Sequence, residues 1–207
     1  MYRRIEDQKT IRRQYLGRKI VVPKEVFPPA WMSKLLGKTI LDEVRESDRV
    51  LDMGTGSGIN AILAASNSSN VVAVDVNTYC LDAGTRNAEK NGVGSKIEFR
   101  ESDLFNNVNG AFDLIIFDPL FRWFAPRDIR GVDVADENFR TVTAFFNEVR
   151  NYLKPGGRIL IFYGDSGDHN YFMNLIDKGN FKKVLMRKRY MERYGRKWGY
   201  YAWKLTL

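Results

Sequence analysis

The run Arg49-Val50-Leu51-Asp52-Met53-Gly54-Thr55-Gly56-Ser57-Gly58 constrains the fold more than any other stretch of the chain. Val50 and Leu51 suit a buried strand, Asp52 follows them, and glycines then recur at every second position. Glycine removes the side chain where a backbone turns sharply or where something must approach it closely. Ile59, Ala61, Ile62, Leu63, Ala64 and Ala65 start a helix with an apolar face. Strand, glycine turn and helix, in this order, are the opening unit of a nucleotide-binding α/β sheet.

The remaining periodicity agrees with such a sheet. Asn70–Asp75 reads as a second buried strand ending in an acid, and Leu81–Asn91 as a helix stopped by Gly92. Lys96–Arg100 is a third strand, and Phe112–Phe117, almost wholly apolar, is a central parallel one. Asn138–Leu153 is a helix closed by Lys154-Pro155-Gly156-Gly157, Arg158–Tyr163 a fifth strand, and Tyr171–Lys178 a helix. Phe181–Tyr190 and Gly199–Leu207 read as a final antiparallel pair, rich in aromatic and β-branched residues, turning near Tyr194-Gly195-Arg196. The expected fold class is therefore α/β, a doubly wound, mainly parallel sheet with one antiparallel strand near the C-terminus. Ahead of the glycine turn, Ala30–Val44 places Trp31, Leu35, Leu36, Ile40, Leu41 and Val44 on one helical face. Residues 1–22, basic with scattered apolar positions (Ile5, Ile11, Tyr15, Leu16, Ile20), read as an irregular or partly helical arm. Val21-Val22-Pro23 and Val26-Phe27-Pro28-Pro29 read as extended loop.

Charge is distributed unevenly. Residues 1–30 carry a balance of +5, residues 31–177 of −6 and residues 178–207 of +9, giving the net +8 of the 207-residue chain. Basic ends on an acidic body point to a polyanionic partner, nucleic acid foremost; a solvated basic face is the other reading. Arg187-Lys188-Arg189 with Arg193, Arg196 and Lys197 is the candidate phosphate-contacting patch, whereas Trp198, Tyr200, Tyr201 and Trp203 read as sheet packing. Cys80 is alone, which excludes a disulfide framework, and one histidine, His169, with one cysteine gives no metal-site spacing. The sequence contains neither a run long enough to span a membrane nor a visible secretory signal, so a cytoplasmic location is expected.

The glycines at 54, 56 and 58 depart from the G-x-G-x-x-G of dinucleotide sites, because the third comes one place early. Asp75, at the end of the next strand, is able to accept both hydroxyls of an unphosphorylated ribose. On these residues the chain resembles the class I S-adenosylmethionine-dependent methyltransferases: Val50–Gly58 is similar to their motif I, and Asp75 to their acidic ribose ligand. Ser102-Asp103-Leu104-Phe105 is similar to the segment whose acid lies near the adenine amine. Asn87-Ala88-Glu89-Lys90-Asn91-Gly92 resembles the helix end of the small-domain branch, which includes release-factor glutamine methyltransferases and ribosomal-RNA guanine and adenine methyltransferases. The resemblance implies a seven-stranded Rossmann-like sheet and S-adenosyl-L-methionine as cofactor. It implies cofactor contacts from Asp52, Gly54, Thr55, Gly56, Gly58, Asp75, Val76, Ser102, Asp103 and Leu104, with Phe27 in a covering loop. Residues 1–29 would then be a basic arm plus that loop, and residues 30–207 the methyltransferase domain.

The fourth strand ends in Asp118-Pro119-Leu120-Phe121, where the resembling branch carries Asn/Asp-Pro-Pro-Tyr/Phe. The nitrogen of a planar amine is a poor nucleophile, since its lone pair is delocalised into a ring or carbonyl. Two acceptors holding its hydrogens, the Asp118 carboxylate and the Pro119 carbonyl, would favour a pyramidal nitrogen, with Phe121 stacked on the planar group. Leu120 replaces the second proline but leaves both acceptors in place. Arg122, Trp123 and Phe124 could stack a flipped base or simply anchor a loop. The expectation is an N-methyltransferase acting on an exocyclic base amine in RNA, ribosomal or transfer, gripped by the basic ends. Its alternatives are a glutamine amide in a protein and a non-catalytic nucleic-acid-binding module. Asp rather than Asn at 118, and the short stretch before the first helix, lean against glutamine.

Overall fold

Seven strands form one sheet, and the order of their connections decides where a ligand can sit. The computed structural model describes residues 9–120, 136–193 and 195–207. In chain order the elements are β1 (Ile11–Tyr15), β2 (Arg18–Val22), α1 (Lys34–Glu43), β3 (Arg49–Met53), α2 (Ile59–Ala64), β4 (Asn70–Asp75) and α3 (Thr78–Lys90). They continue with β5 (Ile97–Glu101), β6 (Phe112–Phe117), α4 (Arg140–Glu148), β7 (Leu153–Gly164), α5 (His169–Lys178), β8 (Lys182–Arg193) and β9 (Arg196–Thr206). The sheet order is β5-β4-β3-β6-β7-β9-β8. β3 to β7 pair in parallel, and β9 runs antiparallel to both β7 and β8, which is the one reversed strand the pattern predicts. Connections diverge between β3 and β6, so a crevice opens beyond the carboxyl ends of those two strands.

Alternate residues of each strand feed two cores. Val50, Val71, Ala73, Leu114 and Ile116 pack with α1, α2 and α3 on one face. Leu51, Met53, Val72, Val74, Ile115 and Phe117 pack with Phe145 and Phe146 of α4 and Phe172 of α5 on the other. Burial on both faces is why these strands read as unbroken apolar runs. Arg158 closes the opposite edge of the sheet: buried, it pairs with Asp48 at 2.7 Å and bonds the carbonyls of Asp113 and Glu43.

The N-terminal segment departs from expectation. Instead of an irregular or helical arm, it forms an antiparallel hairpin, β1 against β2, with Tyr15 opposite Arg18. The connection is two residues, Leu16 at φ 46° and Gly17 at φ 80°. Positive φ at both central positions is what a tight hairpin turn requires. Leu16 tolerates it while packing its side chain on the core. Ile20 and Val22 are buried while their neighbours face outward, the period of a strand.

Two asparagines dock this hairpin. The Val21 N–H donates to Asn87 Oδ1 at 2.8 Å and Asn87 Nδ2 donates to the Val21 carbonyl at 2.9 Å. Asn91 repeats the pair with Lys19, at 3.1 and 2.8 Å. Four residues of helix advance about 6 Å and two of strand about 6.6 Å, so the side chains of α3 can imitate a neighbouring strand along the free edge of β2. Asn87 also donates to the Ser57 carbonyl at 2.9 Å, which ties the hairpin to the glycine turn.

Other differences are local. α1 begins at Lys34, leaving Trp31 exposed beneath the Arg189 guanidinium, 4.2 Å from its ring centroid, and Leu41 is exposed as well. Lys154–Gly157 do not end a helix but loop out of β7, whose register jumps from Phe112↔Leu153 to Leu114↔Arg158. β8 and β9 stay paired out to Arg193↔Arg196, whereas β7 stops at Gly164 opposite Tyr200. The last four pairs of this ribbon therefore project past the carboxyl edge of the sheet.

Asn87→Ala should cost about 2–4 kcal/mol, because it strands buried backbone groups at Val21 and Ser57, whereas the solvent-facing Asn91→Ala should cost under about 1 kcal/mol. Denaturant unfolding of the two variants checks the difference.

Candidate active site

The carboxyl ends of β3, β4 and β6 meet at the glycine turn. Gly54, Gly56 and Gly58 all have positive φ, at 66°, 55° and 82°. They serve different ends. A Cβ on Gly54 or Gly56 would meet nothing within 4 Å, so the backbone there faces open space. A Cβ on Gly58 would lie 2.7 Å from the Gly84 Cα, so that glycine lets α3 close against the turn.

Asp52 organises the turn from beneath. It is fully buried, and its Oδ2 accepts from the Thr55 hydroxyl at 2.6 Å and the Ala61 N–H at 3.0 Å. Its Oδ1 is buried with no hydrogen-bond partner among the described residues. Burial pushes the carboxyl up to about 7, with the Asp118 and Asp75 charges adding and the two hydrogen bonds opposing. Thr55, expected at the ligand, turns its side chain inward onto Asp52, and its N–H bonds the Val74 carbonyl at 2.9 Å.

Asp75 spans β4 and the turn. Its Oδ2 accepts from the Gly56 N–H at 2.9 Å and its Oδ1 from the Asn77 N–H at 3.0 Å. Val76 beside it is 60% exposed, an apolar surface next to an acid. Asn77 Nδ2 donates to the Glu25 carbonyl at 3.2 Å, which brings the loop carrying the exposed Phe27 to this edge. After β5, Ser102 is buried and builds its own turn, donating to the Leu104 carbonyl at 2.8 Å and accepting from the Asn107 N–H at 2.9 Å. Leu104, at φ 46°, packs against the core, and Asp103 is exposed.

At the end of β6, Asp118 is half-buried and Pro119 buried. Burial pushes the Asp118 carboxyl up to about 6, against a hydrogen bond from the Ser33 hydroxyl. Ser33, itself buried, stands just before α1. No local pattern links these two positions, so sequence reasoning missed Ser33; Tyr15, another buried neighbour of Asp118, escaped for the same reason. Phe121 and Arg122-Trp123-Phe124 lie outside the described residues.

The projecting ribbon stands at the same edge. Arg196 lies 4.3 Å from the Trp198 ring and Lys197 Nζ 4.5 Å from the Tyr190 ring. Arg187 is engaged by Asp42 of α1, and the Arg193 side chain lies outside the described residues. Asp165, just after β7, anchors the ribbon by accepting from the Gly199 N–H at 2.7 Å and the Tyr201 hydroxyl at 3.2 Å. A polar cavity of about 420 Å³ lies there, lined by Asp165, Asp168, His169, Arg196, Lys197 and Trp198. His169 belongs to this cavity rather than to the glycine turn.

The family described as methyltransferase small domain matches residues 31–184. A putative protein N5-glutamine methyltransferase of Methanocaldococcus jannaschii is 33% identical over 173 residues, spanning 80% of this chain and 86% of that protein. A release factor glutamine methyltransferase of Francisella tularensis is 27% identical over 166 residues, 72% of this chain and 58% of that one. Among solved structures, the Methanocaldococcus jannaschii tRNA m1G37 methyltransferase superposes with a TM-score of 0.70 at 17% identity, covering 97% of this chain and 57% of that one. A ribosomal protein L11 methylase of Lactobacillus delbrueckii does so at 0.64 and 22%, covering 87% and 81%. At those identities the structural likeness speaks for the fold alone. With sheet order, glycine turn and family match in agreement, the chain belongs to the methyltransferase small domain family and is an S-adenosylmethionine-dependent methyltransferase.

Proposed function

We propose that this enzyme methylates a planar amino nitrogen, and that the amine belongs to a base in RNA. The observation that carries the chemistry is the position of Asp118 and Pro119, at the end of β6, one strand from the Asp52 turn on the shared carboxyl edge. The Asp118 carboxylate accepts one amine hydrogen and the Pro119 carbonyl the other, which turns the lone pair out of conjugation. Held in a half-buried site by Ser33, the carboxylate needs no reorganisation at the moment of reaction, and fixed acceptors of this kind are the main source of rate gain in such steps. Once methylated, the nitrogen is strongly acidic and must shed a proton. A carboxylate poised near 6 is able to take it.

The cofactor fits the glycine turn. When bound, S-adenosylmethionine supplies a methyl group on a positively charged sulfur, already electrophilic. The buried, unpartnered Asp52 Oδ1 favours a cationic ligand, Gly54 and Gly56 leave the backbone accessible, Asp75 takes the ribose hydroxyls and Val76 packs the adenine. The Ser102–Leu104 turn contributes through its exposed Asp103, and Thr55 acts through Asp52.

Support for RNA comes from the projecting ribbon. Arg196 and Lys197 on the projecting pairs, and Arg189 just before them, each lie over an aromatic ring and combine phosphate-binding charge with base-stacking faces. The second reading, a glutamine amide, is favoured by the relative from Methanocaldococcus jannaschii, named for that substrate. Because this chain spans 86% of it, the shortness of the segment before α1 no longer argues against glutamine.

Asp75→Ala should weaken S-adenosylmethionine binding about 10–100-fold, as loss of charge-assisted hydrogen bonds does, read by calorimetry. Because the Asp118 carboxyl is raised to about 6, it is protonated below that pH and no longer accepts. kcat/KM should therefore fall as pH drops through about 6 and level off above it. Asp118→Asn should lose that limb, which separates it from the titration of Asp52 near 7. RNA methylation should also fall steeply with salt, and the combined R189A, R196A and K197A variant should lower the log–log salt slope by about 2. Labelled methyl that remains with protein after nuclease treatment, with no change in salt slope, would instead favour glutamine.

A further inference from the structure

The β8–β9 ribbon has two faces, and one of them continues onto α1. Residues two apart on a strand point the same way, so Arg187, Arg189 and Met191 share a face of β8. The register sets Tyr200, Trp198 and Arg196 of β9 opposite Arg189, Met191 and Arg193, which puts them on that same face. Arg187 pairs with Asp42 of α1, and Met191 and Tyr200 pack on the core that α1 lines, so this is the face turned toward α1.

Trp31 stands where the ribbon meets the helix. It is 52% exposed, although an indole has more apolar surface to gain from burial than almost any side chain, while Met32 and Ser33 beside it are buried. The Arg189 guanidinium lies over its ring, as Arg196 lies over Trp198 further out on the ribbon. Between helix and strand runs a groove of about 60 Å³, lined by Trp31, Lys34, Lys38 and Arg189 together with the apolar Met32 and Leu35. Lys34 and Lys38 are one turn apart on α1, and Asp42, a turn further on, is taken by Arg187 rather than by Lys38. Trp31 is two residues from Ser33, whose hydroxyl holds Asp118. Cations and open aromatic rings thus alternate from the ribbon to the edge of the acceptor site.

We propose that this face binds single-stranded RNA next to the target nucleotide, with a neighbouring base stacked on Trp31 and the adjoining phosphates held by Lys34, Lys38 and Arg189. This rests on the acceptor being a base in RNA. Cations that track a backbone, interleaved with rings on which bases stack, are what a single strand requires. A duplex keeps its bases stacked on one another and offers only phosphates and groove edges, so it cannot use the ring. The enzyme therefore takes unpaired segments, and the strand passing over Trp31 delivers the next nucleotide toward Asp118.

The test is the anisotropy of fluorescein-labelled oligouridylate, free or annealed to oligoadenylate, titrated with the full chain over a range of salt. Beside it, tritiated methyl transfer from S-adenosylmethionine is measured into total RNA and total protein from cells lacking the gene. The single strand should bind more tightly than the duplex. Trp31→Ala should weaken that binding about 10-fold and Trp31→Phe far less, and Lys34→Ala with Lys38→Ala should lower the log–log salt slope by about 1.4. In RNA methylation Trp31→Ala should raise KM and keep both kcat at saturation and S-adenosylmethionine affinity. Lys90 ends α3 and Lys182 opens β8, both exposed and away from this face, so Lys90→Ala with Lys182→Ala removes the same charge and should leave binding unchanged. Equal affinity for the duplex overturns the proposal, as does wild-type binding by the Trp31 and lysine variants. An equal loss in the Lys90 and Lys182 pair overturns it too, because the attraction would then be one of net charge alone, and so does a fall in kcat, which would mean that Trp31 acts through Ser33. If these variants methylate RNA as the wild type does, this face is wrong and the base-amine reading stands; label confined to protein overturns both.

Discussion

One carboxylate holds the cofactor side of this enzyme together. Asp52 ends β3 inside the protein, where it receives the Thr55 hydroxyl and the Ala61 N–H. These two bonds fold the chain back over the strand end and set the start of α2. From there the links pass outward. Gly56 bonds Asp75, Ser57 bonds Asn87, and Asn87 bonds Val21 of the hairpin. A buried acid is expensive in free energy, and its elevated pKa shows that the fold does not fully compensate it. A structural acid needs both oxygens satisfied. Among the described residues Asp52 has one oxygen satisfied and one buried without a partner.

The hairpin changes how the basic N-terminal segment is understood. Arg12, Arg13, Arg18 and Lys19 sit on a β-ribbon that is clamped edge-on by Asn87 and Asn91 and wedged against Gly37. That clamp needs side chains four apart on a helix to match residues two apart on a strand, and only a short amide reaches both an N–H and a C=O at once. β8 packs on the other flank of α1 through Arg187–Asp42 and Arg189 over Trp31. The two basic ends therefore bracket α1, whose start carries Ser33. The basic strands and the Asp118 site share one scaffold.

What the sequence disclosed follows from range. The glycine turn, Asp75 and the strands from β3 to β7 are legible because their constraints act within a few residues: apolar runs for strands buried twice, glycines where φ is positive, acids at strand ends. β1 and β2 were not legible. Their alternation is hidden by arginine and lysine at the outward positions, and their turn is Leu16-Gly17 rather than Asn-Gly. Trp31 misled because helical spacing was extended three residues before the helix begins. Thr55 and Ser102 direct their side chains into the turns they build, and Leu104 packs against the core. Ser33 left no trace, since its partner Asp118 is more than eighty positions away.

That division of range also explains why one fold serves different acceptors. The glycine turn and the acids around it lie in the contiguous stretch between β3 and β5, where a change at one position disturbs several bonds at once. On the proposed reading, the acceptor side draws on the start of α1, the end of β6 and the β8–β9 ribbon, which lie far apart in the sequence. Substitutions there alter what is recognised without loosening Asp52 or the glycine turn. Leu120, where the resembling enzymes carry proline, is exposed and comes directly after Asp118 and Pro119, so neither proposed acceptor is replaced. A relative named for protein glutamine and a structural neighbour named for tRNA share this fold, so the fold by itself does not name the acceptor.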